Sequence, residues 1–243
     1  MEDILNIKTN KTQFKNKEEE IHFYDNIIEN VERVFTSDNY DTSEIDKGND
    51  EIIKTEKMKI TFTTSENQNN NKNGNITTIN LGECENELRR INNISNNEKI
   101  YIKIIEVDQD GMKIPKIEYE VYSKLSGNKL QKLDLSICKN YKISIEIQIE
   151  ISKSENLDIL NSSSGYYNDI CYTTTSVNGT DISLKDRKNE FIADNKTVCQ
   201  EECDFINYDY NINKANCSCS IKSASSSFAD ININKTKLLN SFG

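Results

Sequence analysis

From Ile143 to Ile151 every second residue is isoleucine. In an extended chain Ile143, Ile145, Ile147, Ile149 and Ile151 share one face, and Lys142, Ser144, Glu146, Gln148 and Glu150 take the other. An apolar face backed by a wet one is the pattern of an antiparallel sheet that is covered on one side. Such a strand forces the rest of the chain to supply a second layer over the isoleucines.

The remaining sequence offers the material for that layer. Met58, Ile60, Phe62 and Thr64 alternate within 56–64, and 76–81, 99–107, 116–122, 130–138, 166–176 and 215–222 also read as strands. Asp108-Gln109-Asp110-Gly111 and Val177-Asn178-Gly179 are turn signals. Ahead of the strands, Ile21, Tyr24, Ile28, Val31 and Phe35 recur every three or four residues, flanked by Ile27 and Val34, which predicts one amphipathic helix over 18–35. A short helix is expected over 84–91, an acidic linker over 38–50 and an Asn-rich loop over 65–75. Residues 183–214 read as loop apart from a short helical stretch near Lys185. The fold class is therefore mainly β: β-sandwich-like antiparallel sheets with an N-terminal helix and a small disulfide-rich C-terminal module. The boundaries are a flexible lead-in at 1–17, helix and acidic linker at 18–54, the sandwich-like domain at 55–182, the cysteine-rich module at 183–222 and a polar tail at 223–243.

Seven cysteines, Cys84, Cys138, Cys171, Cys199, Cys203, Cys217 and Cys219, punctuate the chain. The last four crowd into a segment poor in large aliphatics, which needs covalent or metal staples. Zinc knuckles favour two residues between the members of each pair, and neither Cys199/Cys203 nor Cys217/Cys219 has that spacing. Disulfides are the favoured reading, with a zinc ion on Cys199, Cys203, Cys217 and Cys219 as the alternative. Cys217 and Cys219 are expected on opposite faces of a strand, with different partners, Cys199 and Cys203 being the nearest. Cys84 and Cys138 are expected to bridge, which leaves Cys171 over; alternatively Cys171 pairs with Cys199 or Cys203 and the orphan moves there.

Composition excludes several classes. The net charge is −10, with 30 basic and 40 acidic residues, and no Lys/Arg cluster suited to nucleic acid occurs. No apolar run approaches the length of a membrane span. A single histidine, His22, forbids two-histidine chemistry, and it lies on the first helix far from any cysteine in sequence. Phosphate-cradling glycine motifs and a nucleophile elbow are absent, so no catalytic residue and no cofactor is assigned. Two carboxylates working as a hydrolase pair remain a second alternative among the 40 acids, although the absence of tryptophan removes the usual sugar-stacking platform. Glu106-Val107-Asp108-Gln109-Asp110-Gly111 mimics the front of a calcium loop, but Ile117 stands where the closing glutamate belongs; an acidic hairpin turn explains it. Asp209, Asn211 and Asn213 mimic the same spacing without the glycine.

The chain holds 34 Ile and 34 Asn against 4 Ala. That skew follows A/T-rich codons, and it discounts any motif built on Asn, Lys or Ile. Sequons are accordingly frequent. Asn75, Asn93, Asn161, Asn178 and Asn195 fall in expected loops and are the glycosylation candidates.

Five stretches taken together, 79–84 (INLGEC), 110–122 (DGMKIPKIEYEVY), 164–171 (SGYYNDIC), 179–189 (GTDISLKDRKN) and 198–203 (VCQEEC), resemble cysteine-rich, membrane-proximal ectodomains of large surface proteins from A/T-rich protists. Those proteins carry EGF-like repeats ahead of this region. The resemblance spans about residues 20–235 and brings no catalytic set. It implies an extracellular, disulfide-bonded module on the cell surface, attached to the membrane through a segment outside this chain. The start, Met1-Glu2-Asp3-Ile4, lacks the basic and apolar regions of a signal peptide, so under the resemblance Met1 is internal to a longer protein. The expected function is a non-enzymatic surface, adhesion or structural module with a protein or glycan ligand; a cytoplasmic zinc-stabilised binding domain is the rival.

Overall fold

The computed structural model describes residues 14–70, 76–109, 112–125, 127, 129–153, 155–176, 179–193, 196–200, 202–221 and 228. Along the chain come α1 (Lys17–Phe35), α2 (Ser43–Asp46), β1 (Glu51–Lys54), β2 (Met58–Thr64), α3 (Ser65–Asn70), β3 (Thr78–Asn80), α4 (Glu83–Asn92), β4 (Tyr101–Val107), β5 (Lys116–Ser123), β6 (Gln131–Lys132), β7 (Lys142–Gln148), α5 (Gly165–Asn168), α6 (Leu184–Ala193), β8 (Cys203–Asp209) and β9 (Lys214–Ser220). Two 3-10 turns, Leu135–Cys138 and Leu157–Leu160, flank β7.

The strands make two antiparallel sheets. Sheet A runs β1-β2-β4-β5-β6 and sheet B runs β3-β7-β9-β8. Ile143, Ile145, Ile147 and Ile149 are buried on the inner face of β7, while Ser144, Glu146 and Gln148 alternate outward and are only half-covered. Facing them across the sandwich are Ile102 and Ile104 of β4 and Ile117 and Val121 of β5. Leu88 of α4 closes one end of this core.

The opposite face of sheet A is covered too. Tyr24, Ile27, Ile28, Val31 and Phe35 of α1 lie over Met58, Ile60, Phe62, Ile105 and Tyr122. Every residue of β4 is consequently buried, the signature of a strand with both faces packed. The order of layers is helix, sheet A, sheet B. Asn16 caps α1: its side chain accepts the Glu19 N–H at 2.8 Å, and Glu18, Glu19 and Glu20 lie in the first turn where the helix dipole favours acids. Phe228, in the stretch read as polar tail, stacks on Tyr24 with ring centroids 4.6 Å apart.

Several local expectations differ from the structure. The strand expected over 130–138 is two residues of β6 followed by a 3-10 turn. Asp134 accepts the Ser136 N–H at 2.8 Å, a side chain–backbone bond that competes with strand pairing. The strand expected over 166–176 is instead the helical turn α5, with the consecutive Tyr166 and Tyr167 both buried; only Thr175 makes an isolated bridge, to Asp181. The linker at 38–50 is packed: Ile45 is fully buried and the Tyr101 hydroxyl donates to Asp46 at 2.8 Å. The Asn-rich loop begins as α3; 71–75 lie outside the described residues. β8 is an unforeseen strand inside the presumed loop 183–214. Its partner β9 also pairs with β7, so the cysteine-rich hairpin extends sheet B.

Candidate functional site

The chemistry of the cysteines follows from this pairing. Cys84 at the start of α4 and Cys138 at the end of the 3-10 turn are both completely buried and disulfide-bonded, Cα to Cα 5.3 Å. Cys199 joins Cys217, and Cys203 joins Cys219, with Cα separations of 5.7 and 4.0 Å. Cys203 and Cys219 are register partners across β8 and β9. Cys217 and Cys219 are both buried, alternating with half-covered neighbours, so they share the inner face; a strand period of two puts residues i and i+2 together, which corrects the expectation of opposite faces. The four thiols that would hold zinc are consumed in two disulfides. Cys171 is a free thiol and exposed. Among the described residues no group of three or more His, Cys, Asp or Glu is placed to hold a metal ion.

A cluster of charge joins α1 to sheet A beside their apolar contact. Lys103 of β4 is 2% exposed and forms ion pairs with Glu120 on β5 and Glu32 on α1. Lys132 of β6 reaches Glu120 from the sheet edge. The Tyr122 hydroxyl donates to Glu120 at 2.6 Å and to Glu32 at 2.8 Å. Burial alone would push Glu120 up, but Lys103, Lys132 and the Tyr122 hydroxyl outweigh it and hold the carboxyl below its ordinary 4.5. Tyr122 is driven far above 10, first by burial and then by the two carboxylates. These groups satisfy one another, which makes the cluster a fastening between helix and sheet.

The outer face of sheet B is the other polar surface. Register places Thr78, Glu146, Asn216 and Asn207 in one row across all four strands. Lys214 and Asp209 face each other in the next row. Lys214 is 2% exposed, with its ammonium 3.2 Å from the Thr78 hydroxyl and 3.4 Å from the Glu146 carboxylate. Burial lowers its pKa, partly offset by Glu146 and Glu106. At the β8–β9 turn this face sinks into a cavity of about 500 Å³, lined by Glu146, Asn207, Asp209, Tyr210, Lys214 and Asn216 among others.

A third cluster stands apart. Arg187 of α6 is 1% exposed and donates to the Tyr166 and Asp169 carbonyls at 2.7 and 3.2 Å. Its guanidinium lies over the rings of Tyr166 and Tyr172, at 5.4 and 5.9 Å. It ties α6 to α5.

The other sequence candidates disperse. Glu106 is buried in β4, paired with Lys59 and accepting from Thr77 at 2.5 Å, so it belongs to the sandwich interior; Asp110 and Gly111 lie outside the described residues. His22 is exposed on α1, its Nδ1 2.7 Å from Asn26 Nδ2. Of the sequons, Asn93 is exposed at the left-handed C-cap of α4 and Asn161 is half-buried after a 3-10 turn; Asn75, Asn178 and Asn195 lie outside the described residues. Lys103, Glu120, Lys214 and Arg187 were not singled out from sequence. Lys103 and Glu106 are the two charges in the strand 101–107 (YIKIIEV), and the spacing alone does not tell that both are covered.

Among the described residues no helix is long and apolar enough to cross a membrane. The chain matches no family model, no curated protein and no solved structure.

Proposed function

We propose that this chain is a non-enzymatic extracellular module of the surface, adhesion or structural kind, part of a larger membrane protein. The observation that carries the reading is the set of three disulfides, Cys84–Cys138, Cys199–Cys217 and Cys203–Cys219. Such bonds persist in oxidising compartments and are rare in the cytosol. The resemblance to cysteine-rich surface ectodomains supports the same compartment and the membrane-proximal placement. The buried ionisable groups support a binding or structural role, because Lys103, Glu120, Glu32 and Tyr122 spend their hydrogen bonds on each other between α1 and sheet A. Exposed Asn93 is the sequon best placed to carry a glycan.

The test is a thiol count on protein purified from its natural source, denatured and alkylated without reduction. One alkylated cysteine, Cys171, is the expected result. Seven alkylated cysteines would overturn the extracellular reading and return the chain to a reducing compartment.

A further inference from the structure

We propose that the cavity on the outer face of sheet B, beside the β8–β9 turn, binds a neutral saccharide. The proposal deepens the surface-module reading and rests on it, by naming the ligand class of one site.

The size suits a small ligand: about 500 Å³, inside the roughly 300–1,000 Å³ of small-molecule sites. The lining is the stronger argument. Glu146, Asn216 and Asn207 sit on three neighbouring strands in one row, and adjacent strands are about 4.8 Å apart. Carboxylates only accept hydrogen bonds, whereas amides both donate and accept. Sugar hydroxyls do both as well, and a ladder of such groups meets successive hydroxyls of a ring. An apolar ligand would leave the Asn207 amide without a partner.

The site is also held in shape before any ligand arrives. Ser144 Oγ donates to Asn216 Oδ1 at 2.7 Å, which orients that amide. The Asn211 N–H donates to Asp209 Oδ1 at 2.8 Å. Lys214 is fixed from beneath by Glu146 and Thr78. By contrast, no hydrogen bond among the described residues engages the side chains of Asn207 or Asn211, so their amides are available. Tyr210 supplies an aromatic wall. Its ring packs edge-on against Tyr208 at 4.7 Å, and Tyr208 is itself locked by donating to the Ile149 carbonyl at 2.8 Å. In a chain without tryptophan, this ring is the flat surface against which the C–H face of a sugar can lie.

Charge selects within the class. The lining holds two carboxylates, Glu146 and Asp209, against one ammonium, Lys214, on a chain of net charge −10. Phosphorylated, sulfated or sialylated ligands meet repulsion there, and a neutral ring does not.

The experiment applies the full disulfide-intact chain to an array of soluble oligosaccharides. Neutral probes end in galactose, glucose, mannose or N-acetylglucosamine; sulfated and sialylated probes form the comparison arm. The expected result is retention of a neutral probe, little changed by raised salt. Asn207→Ala and Asp209→Ala, both at exposed positions, are expected to weaken it about tenfold each, which is one hydrogen bond's worth, with thermal unfolding unchanged. If Asp209→Ala loosens the turn, Asn207→Ala decides alone. The proposal fails if the native chain retains no neutral probe, or retains only the anionic ones. It fails equally if both variants bind as wild type, or if mass spectrometry finds a glycan on Asn216, which opens the triplet Asn216-Cys217-Ser218 and whose glycan would fill the cavity. Thiol counting on the same sample separates the two ideas. A one-thiol protein that ignores the neutral probes keeps the module reading and loses this site. A seven-thiol protein that binds them keeps the site and loses the compartment.

Discussion

The two faces of sheet A are fastened by different chemistry. Toward sheet B the interior is isoleucine-rich and sewn by three disulfides, at Cys84–Cys138, Cys199–Cys217 and Cys203–Cys219. Toward α1 it is aromatic, with Phe35 centred 4.2 Å from Phe62 and 5.0 Å from Tyr122, and it is pinned by the ion pairs of Lys103. The difference teaches where each device is needed. Sheet B is narrow, ends in the edge strand β8, and has a mainly polar outer face, so hydrophobic burial on its inner side must hold it. Helix α1 covers a broad, five-stranded sheet, and its one long-range problem is orientation, which a charge pair on Glu32 fixes.

Breaking the longest staple has the largest expected effect. Cys84 and Cys138 are 54 residues apart in sequence, and closing a loop of that size stabilises by about 4 kcal/mol in the chain-entropy account. Cys84→Ala/Cys138→Ala is expected to lose that much in urea unfolding. Hydrogen exchange should speed up in β3, α4 and β7 before it does in α1. Equal loss of protection in α1 would show that the two fastenings form one cooperative unit.

The ionic side is expected to respond next. Lys103→Ala leaves Glu120 and Glu32 facing each other without their buried cation. Removing one partner of a buried pair costs about 3 kcal/mol or more. Exchange should then rise in α1, and reductant should add its own destabilisation independently, since the two sites share no residue. A strongly non-additive double perturbation would erase the distinction between the two sides.

Acid should act on the helix side through Glu120. Glu120 is held below 4.5 because its cationic and hydroxyl partners outweigh its burial. Its folded-state pKa is therefore depressed, and the stability it contributes is fully present above pH 4.5 and lost as pH falls below it. The expected drop is about 2 kcal/mol, seen in urea midpoints measured from pH 6 to pH 3. Glu120→Gln should flatten that slope. A slope unchanged by Glu120→Gln would place the acid sensitivity elsewhere.

These contrasts were unevenly legible in the sequence. The β7 face was readable because isoleucine repeats at every second position, and α1 because Tyr24, Ile28, Val31 and Phe35 keep a helical period. The ionic fastening was hidden: Lys103 and Glu120 look like solvent-facing residues until α1 is laid over them, and nothing local announces that cover. β8 was invisible because an edge strand needs little apolar content; only Tyr208 of its seven residues is buried. The polar row Thr78–Glu146–Asn216–Asn207 needs the strand order 3-7-9-8, which is a property of pairing at sequence separations no spacing rule spans. The tyrosines of α5 were misread because two adjacent buried aromatics fit a β-rich run as well as a packed helical turn.

The smallest effect expected comes from the start of α1. The first turn of a helix has N–H groups with no intrahelical acceptor, and the Asn16 side chain takes one of them, from Glu19. Asn16→Ala removes that acceptor and is expected to cost about 1 kcal/mol. Asn16→Asp should recover it, because a carboxylate both caps the turn and suits the helix dipole. The change lies on the helix side, so it should speed exchange in the first turns of α1 and leave the rate of disulfide reduction untouched. A faster reduction of Cys84–Cys138 in Asn16→Ala would mean that α1 shields sheet B through sheet A, and the two fastenings would then have to be treated as one.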